Sequence, residues 1–204
     1  MDINQNEETY NKIAQNYFQD HKDDTWDDDF LEDFLKRLRP RSNVLDLGCG
    51  PGIESEKISR QGMKVFGLDI SEELLKIARE KVPSGTFLQK NMLGGLPYPD
   101  GFFDGIFAKA SLLHVPKDKI DDVMGEIKRA VKNGGIIHIA VKKGDGEQEI
   151  TENDYGYEYK RSFSFWQPEE LETIFKTNHL NILNEKPWQN PGKKTIWLKY
   201  ILQK

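Results

Sequence analysis

The chain has 204 residues and a formal net charge of −5. This length fits one folded domain with a sizeable core, and no apolar run approaches the ~18 residues of a membrane-spanning helix. The acidic balance argues against a large nucleic-acid footprint, because clustered Lys and Arg drive phosphate binding. The first residues are polar and acidic, so we expect no signal peptide and a cytoplasmic protein.

Two helices are predicted before the first strand. Residues 10–18 carry aromatic and apolar side chains at helical spacing. Tyr10 and Tyr17 either cover a ligand or fasten this helix to the core, and the pattern fits both. The second helix, residues 28–38, ends in a basic cluster at residues 36–41. Such a cluster complements the helix dipole on a solvated face.

The most specific signal is VLDLGCGPG at residues 44–52. An apolar run followed by closely spaced glycines predicts a buried strand, then a tight turn into a helix that begins near Ile53. Gly48, Gly50 and Gly52 allow positive φ and close approach of a ligand to the backbone. The first N–H groups of the helix are free to bind a carboxylate or phosphate.

This spacing differs from the dinucleotide fingerprint Gly-x-Gly-x-x-Gly, since Ile53 stands where the last glycine is needed. Asp46, just before the turn, would repel a pyrophosphate but help hold a cation. The segment resembles the acid-x-Gly-x-Gly-x-Gly signature of the class I S-adenosylmethionine-dependent methyltransferases. The resemblance implies S-adenosyl-L-methionine as cofactor, S-adenosyl-L-homocysteine as product, and cofactor contacts from Asp46, Gly48, Cys49, Gly50 and Gly52. Cys49 is the one cysteine, which excludes an internal disulfide, and no Cys and His spacing suggests a metal site.

A second acid ends the next apolar run, VFGLDIS at residues 65–71. Asp69 lies about 20 residues after the glycine turn, the spacing of an acid that accepts ribose hydroxyls in a βαβ unit. We therefore expect Asp69 and Ile70 to contact the cofactor. Asp69 as a competitor of Ser71 for the cap of the next helix is the alternative, and the two roles are compatible.

The third predicted strand, residues 86–89, runs into Asn91 and Met92. In the family that the chain resembles, an acid here usually takes the adenine amino group, and the backbone of the next residue meets the ring. An amide oxygen also accepts from an amine, so Asn91 weakens that bond without removing it. Asn91 as a turn residue is the alternative.

The fourth strand is predicted at residues 103–109, after a Pro-Asp-Gly turn, and Lys109 at its end is a candidate cofactor contact. The next residues, SLLHVP at 111–116, resemble the small-molecule branch typified by ubiquinone and menaquinone biosynthesis (type 11), which often has two histidines there. Only His114 is present. It is a candidate base near neutral pH, or alternatively a packing group.

A helix at residues 120–131 is predicted to end at a Lys-Asn-Gly-Gly turn, followed by a fifth strand at residues 136–141. The turn resembles the family's Lys-Pro-Gly-Gly, with Asn133 in place of proline. His138 lies within this strand, where packing is the expected role. Closing strands are predicted at residues 180–185 and 195–201.

Residues 145–166 interrupt the fold before a helix that starts at Pro168. Their aromatic residues nearly alternate, which predicts a strand with one aromatic face that something must cover. The leading helix resembles the tyrosine-bearing cover helix of small-molecule members, and the two segments are expected to form a mobile lid with glycine hinges. The alternative is that the aromatics extend the core. The candidate contacts here are Tyr17 for the cofactor and, for the acceptor, Tyr10, His114, Tyr157, Arg161 and Trp166.

Strands alternating with helices predict an α/β fold with ligands at the carboxyl ends of parallel strands. The resemblance implies a Rossmann-like, seven-stranded, mostly parallel sheet of order 3-2-1-4-5-7-6, with the last strand antiparallel and helices on both faces. We expect one domain over residues 1–204. Its parts are cover helices at 1–40, a cofactor core at 41–143, an insertion at 144–167, and a closing helix and hairpin at 168–204.

The resemblance implies direct displacement at the sulfonium methyl by a small organic acceptor. That methyl is already activated, so the protein mainly aligns the nucleophile and excludes water. The family's amino-methylating nucleic-acid signature is absent, since KASL stands at residues 109–112. A methyltransferase for protein or RNA is favoured if residues 36–41 and Lys193-Lys194 flank the same mouth. A non-catalytic cofactor-binding module is favoured if the pocket has no room beyond the methyl.

Overall fold

Alternating strands and helices form the sheet that positions the candidate site. A computed structural model describes residues 3–189, 192 and 194–204. The strands are β1 (Asn43–Leu47), β2 (Lys64–Asp69), β3 (Thr86–Gln89), β4 (Phe103–Lys109), β5 (Val131–Lys142), β6 (Glu147–Glu152), β7 (Tyr159–Ser164), β8 (Asn181–Gln189) and β9 (Ile196–Gln203). The helices are α1 (Ile3–His21), α2 (Asp28–Lys36), α3 (Ile53–Arg60), α4 (Glu72–Lys81), α5 (Ile120–Ala130) and α6 (Pro168–Thr177).

Seven of these strands form one sheet in the order β3-β2-β1-β4-β5-β9-β8. The first five in that order are parallel, whereas β9 is antiparallel to both β5 and β8. Because β6 and β7 pair separately as a hairpin, the sheet has the predicted order 3-2-1-4-5-7-6, and the Rossmann-like α/β prediction is confirmed. The order reverses between β1 and β4, and ligands of open α/β sheets bind at such a point.

Apolar side chains cover both faces of this sheet. Leu45 and Ile106 belong to a core cluster with α5 and α6, whereas Val44 and Phe107 belong to a second cluster with α2, α3 and α4. Successive residues of a strand point to opposite faces, so a parallel strand covered on both sides needs consecutive apolar residues. This is why β1 and β4 have near-continuous apolar runs.

Several boundaries differ from the sequence predictions. β5 begins at Val131 instead of residue 136, because it already pairs with Phe103 before a register shift in β4. The closing strands β8 and β9 are longer than predicted. The aromatic alternation of the insertion is not one strand, since Tyr155 and Tyr157 lie between β6 and β7. Gly156 between them has a φ of +78°, which a regular strand does not allow.

A buried group of charges fastens α2 to the sheet. Lys199 of β9 is fully buried, and its Nζ lies 2.5 Å from Asp29 Oδ1 and 3.4 Å from Asp27 Oδ1. His138 of β5 places its Nε2 2.7 Å from Asp27 Oδ2. Buried charges need partners, so these contacts hold α2, and Trp26 just before it, against the sheet. His138 has the packing role expected of it, with no exposed surface.

No helix among residues 3–189, 192 and 194–204 is long and apolar enough to cross a membrane. In the same part of the chain, no group of three or more His, Cys, Asp or Glu side chains has the geometry of a metal site.

Candidate active site

A cavity of about 250 Å³ lies at the carboxyl ends of the parallel strands. Its wall includes the turn after β1, the end of β2, the residues after β3, and the ends of β4 and β5. Side chains of α1, β7 and β9 complete it. This is the place that the strand order predicts for a ligand.

The three glycines after β1 have different roles. All have positive φ, at +74° for Gly48, +52° for Gly50 and +77° for Gly52. A Cβ on Gly48 would clash with Ser111 Cβ, and one on Gly52 would lie 2.9 Å from Ala78 Cβ. These two positions therefore require glycine for packing. At Gly50 the nearest atom is 4.0 Å away, so its open side belongs to the cavity.

Gly48 and Gly50 line the cavity as predicted for cofactor contacts, whereas Gly52 does not. Gly52 instead stands at the N-cap of α3 and lets that helix pack closely on α4. Cys49 also lines the cavity, and its buried side chain belongs to the second core cluster. Burial raises the pKa of its thiol. A buried protonated thiol is a packing group, not a nucleophile.

Asp69 lies at the end of β2 and faces the cavity. Its Oδ2 accepts a hydrogen bond of 2.8 Å from the Gly50 N–H, and its Oδ1 accepts one of 2.9 Å from the Ser71 N–H. Burial raises the pKa of Asp69, while these hydrogen bonds act against that rise. The Ser71 side chain caps α4 by accepting from the Leu74 N–H, and contact of Asp69 with a cofactor stays a prediction. These two hydrogen bonds fix the orientation of the carboxylate, and its remaining lone pairs can accept hydrogen bonds from hydroxyl groups of a ligand.

Asp46 does not line the cavity, although it is a predicted cofactor contact. It is buried, with 3% of its surface exposed, and its Oδ2 accepts a hydrogen bond of 2.6 Å from Ser55 Oγ. Burial, with a smaller contribution from Glu54, raises the pKa of Asp46 to about 7. The carboxyl group of Asp46 therefore supports α3 behind the glycine turn.

Asn91, Met92 and Ile70 line the cavity where the adenine end of a cofactor is expected. The Asn91 side chain accepts a hydrogen bond of 3.0 Å from the Leu93 N–H and caps a short 3₁₀ helix, Met92–Gly94. Asn91 is thus a turn residue, which was the alternative to its predicted contact with adenine. Its amide oxygen keeps one lone pair for a ligand, since a carbonyl oxygen has two.

Lys109, at the end of β4, forms an ion pair inside the cavity. Its Nζ lies 2.5 Å from Glu54 Oε1 and 4.7 Å from the centre of the Trp26 ring. Burial alone would lower the pKa of Lys109, but the adjacent Glu54 outweighs burial and raises it. The pair presents one cation and one anion at the N-terminus of α3, so it can bind a zwitterionic group.

His114 and Tyr10 meet across the cavity wall. The Tyr10 hydroxyl lies 2.8 Å from His114 Nε2, and His114 Nδ1 lies 2.7 Å from the Ser162 carbonyl oxygen. A carbonyl only accepts, so Nδ1 carries the proton and Nε2 accepts from Tyr10. Desolvation lowers the pKa of His114 to about 3. A neutral imidazole with both nitrogens engaged is unsuited to the predicted role of a base at neutral pH.

Arg161 extends this network from β7. Its Nε and Nη2 each donate a hydrogen bond of 2.6 Å to one of the two carboxylate oxygens of Glu152. Its Nη1 lies 3.4 Å from the Tyr10 hydroxyl oxygen. Tyr17 packs edge-to-face on Tyr10 with ring centres 5.4 Å apart. Tyr17 also packs against the small cluster that contains Leu74 and Ile77 of α4, so it both lines the cavity and fastens α1.

Two predicted acceptor contacts lie outside the cavity wall. Tyr157 is in the turn between β6 and β7, under the Lys12 ammonium at 4.4 Å. Trp166 is buried, with 3% of its surface exposed, and its backbone N–H donates a hydrogen bond of 3.0 Å to the Lys142 carbonyl oxygen. The spacing of aromatic residues does not reveal where a strand ends. For this reason the aromatic alternation of residues 155–166 wrongly predicted that both side chains face the cavity.

Residues 44–135 match a protein-family model described as a methyltransferase domain. Residues 44–135 form a methyltransferase domain. The trans-aconitate 2-methyltransferase of Paracidovorax citrulli is 33% identical over 114 residues, which are 55% of this chain and 42% of that protein. The demethylmenaquinone methyltransferase of Symbiobacterium thermophilum is 30% identical over 146 residues, which are 63% of this chain and 55% of that protein. The chain spans about half the length of these relatives, and the predicted resemblance is confirmed.

A solved structure agrees on the fold. The 1,6-didemethyltoxoflavin-N1-methyltransferase of Burkholderia thailandensis, solved with 1,6-didemethyltoxoflavin and S-adenosylhomocysteine, superposes with a TM-score of 0.75. The match covers 95% of this chain and 84% of that one, at 18% sequence identity. At this identity the likeness concerns the fold alone.

The methyltransferase domain supplies only part of the cavity wall. The glycine turn, Asp69 and Lys109 lie inside it, whereas Lys142, Phe163 and Trp197 follow it in the chain. None of these last three is among the predicted contacts. Lys142 directly follows the apolar run of the fifth strand. The strand-end position that singled out Asp69 was therefore available as a signal for Lys142 as well.

Proposed function

We propose that this chain is an S-adenosylmethionine-dependent methyltransferase that acts on a small organic acceptor by direct displacement at the sulfonium methyl. The observation that carries this proposal is the hydrogen bond from the Gly50 N–H to Asp69, at a point where Gly50 leaves the cavity open. The methyltransferase domain at residues 44–135 and the two curated relatives support it.

The cavity residues fit this cofactor. Asp69 would accept the ribose hydroxyls, and Asn91 and Met92 would meet the adenine. The Lys109–Glu54 pair would hold the carboxylate and ammonium of the methionine end. Ser111 Oγ is buried in the cavity wall and has no hydrogen-bond partner in the described part of the chain. A buried polar atom without a partner suits a ligand that supplies one.

When bound, the cofactor would supply an activated methyl group on a sulfonium, for displacement by an electron pair of the acceptor with S-adenosylhomocysteine as the leaving group. The chain aligns the acceptor and excludes water. α1 covers the cavity, with Tyr10 and Tyr17 in the wall. Because His114 is neutral and engaged on both nitrogens, the site suits a nucleophile that needs no base at that position.

The alternatives receive less support from the geometry. Lys36 and Arg37 end α2 and pair with Glu32 and Asp33. The basic cluster at residues 36–41 leads into β1, so it lies at the amino-terminal edge of the sheet, opposite the cavity. Lys193 lies outside the described residues. A non-catalytic module is disfavoured because the cavity continues to the end of β5 and to β7. A small-molecule partner and a cytoplasmic location remain our proposal.

Transfer of labelled methyl groups tests the proposal. The chain is incubated with methyl-labelled S-adenosylmethionine and separate pools of small carboxylates, phenols, amines and thiols, and with protein and RNA. We expect label in one small-molecule pool, and none with Asp69→Ala. Label only in protein or RNA would establish the first alternative. Cofactor binding without transfer to any pool would establish the non-catalytic module.

A further inference from the structure

Lys142 is a cation in the cavity wall that has no counter-charge of its own. It ends β5, and its Nζ lies 3.8 Å from the centre of the Phe163 ring and 5.9 Å from that of Trp197. Within residues 3–189, 192 and 194–204, Lys142 forms no hydrogen bond or ion pair through its side chain. Two aromatic faces surround an ammonium whose other side faces the cavity.

The groups around Lys142 do not neutralise it. Arg161 faces it from β7, and both oxygens of Glu152 are already bonded to Arg161 at 2.6 Å. Tyr10 and His114 share an uncharged hydrogen bond on the side of α1. This end of the cavity therefore holds two cations and one anion, an excess of one positive charge.

A protonated Lys142 in this partly buried position lowers the stability of the folded chain. Desolvation and the nearby Arg161 together lower the pKa of Lys142 to about 8, with Glu152 acting in the opposite direction. A partly buried ammonium without an ion-pair partner carries a desolvation cost, and the Phe163 and Trp197 rings offset part of it. Groups that lower stability inside a cavity are candidates for ligand binding.

We propose that the methyl acceptor is a small organic anion, whose ionised oxygen pairs with Lys142 and whose planar body packs beside Trp197. The role of this ligand as acceptor rests on the proposed function, whereas its charge follows from Lys142 and Arg161. A protonated amine would be repelled by both cations. An ionised oxygen also needs no base, which agrees with the neutral, engaged His114.

Three probes of similar size and different charge test the charge preference. Benzoate, benzamide and benzylamine are titrated into the chain, with and without saturating S-adenosylhomocysteine, and binding is followed by ligand-observed NMR. We expect benzoate to bind at least tenfold more tightly than benzamide, as for one charge-assisted pair. Benzylamine should bind more weakly than benzamide.

Matched variants assign the preference to Lys142. Lys142→Met should abolish the difference between benzoate and benzamide, and Lys142→Arg should retain it. Lys143→Met is the control, because it removes the same charge from an exposed neighbour outside the cavity wall.

The pH dependence of benzoate binding separates the effect of charge from that of shape. Benzoate affinity should fall above pH 8 in the wild-type chain and stay constant to pH 10 in Lys142→Arg, whose guanidinium remains protonated.

The possible outcomes are distinguishable. Equal binding of benzoate and benzamide, or an unchanged preference in Lys142→Met, would overturn the anion proposal while S-adenosylhomocysteine binding remained intact. Failure of S-adenosylhomocysteine to bind would overturn the proposed function instead. The titrations without it would still decide whether Lys142 binds an anion.

Discussion

Gly50→Ala is expected to weaken cofactor binding, whereas Gly62→Ala is not. Both glycines have positive φ, +52° and +77°, and at neither position does an added Cβ come closer than 4.0 Å to another atom. Alanine in the left-handed region costs about 1–2 kcal/mol at either site. For a chain of this size, that lowers Tm by roughly 2–8 °C in both variants. Only the Gly50 methyl group enters the cavity.

The effect on binding is estimated from overpacking. A methyl group forced into a closely fitted contact costs about 1–3 kcal/mol, which weakens S-adenosylhomocysteine binding by roughly 5–150-fold. Gly50→Val should abolish detectable binding. Isothermal titration calorimetry well below the Tm of both variants gives the affinities, and circular dichroism verifies that they are folded.

The comparison between the two variants is decisive. If Gly50→Ala binds as tightly as the wild-type chain, the open side of Gly50 is not a ligand contact and the pocket is misplaced. If both variants lose affinity equally, backbone strain explains the loss, and the cavity contact is not needed.

Three further predictions concern the acids and the cover. Asp69→Ala should weaken S-adenosylhomocysteine binding by about 2–4 kcal/mol, while Asn91→Asp leaves it intact or improves it; calorimetry that finds neither variant altered would contradict both assignments. Because the pKa of Asp46 is raised to about 7, its ionisation costs stability as pH rises from about 4 to 7. Asp46→Asn should therefore gain up to about 4 kcal/mol at pH 8 and nothing at pH 3, and urea unfolding that shows an equal change at both pH values would refute this. Hydrogen exchange in residues 145–166 should slow when S-adenosylhomocysteine binds, and slow exchange in both states would show a rigid core element.

The cofactor end of the cavity was largely predictable because its signals are local. The turn holding Gly48 and Gly50, and Asp69 at the next strand end, each lie within one strand–turn–helix segment. Their positions follow from where strands end and where glycines form turns, and short stretches of sequence are enough to predict both. Asp46 was misplaced because its side chain points to Ser55 of α3, and a motif match does not reveal that direction.

The acceptor end depends on contacts between distant parts of the chain. His114 meets Tyr10 from 104 residues away, and this contact makes it an engaged neutral group. Lys142 lines the cavity with Phe163 because the β6–β7 hairpin folds over the end of β5. No periodicity encodes such a meeting, so the aromatic pattern favoured Tyr157 and Trp166 while Lys142 was missed.

Calorimetric titration of the wild-type chain with S-adenosylhomocysteine and, separately, with NAD tests the central claim most directly. The glycine spacing, the open side of Gly50 and the fixed carboxylate of Asp69 predict that S-adenosylhomocysteine binds at one site and that NAD does not bind. Tighter binding of NAD than of S-adenosylhomocysteine would contradict the assignment of this cavity.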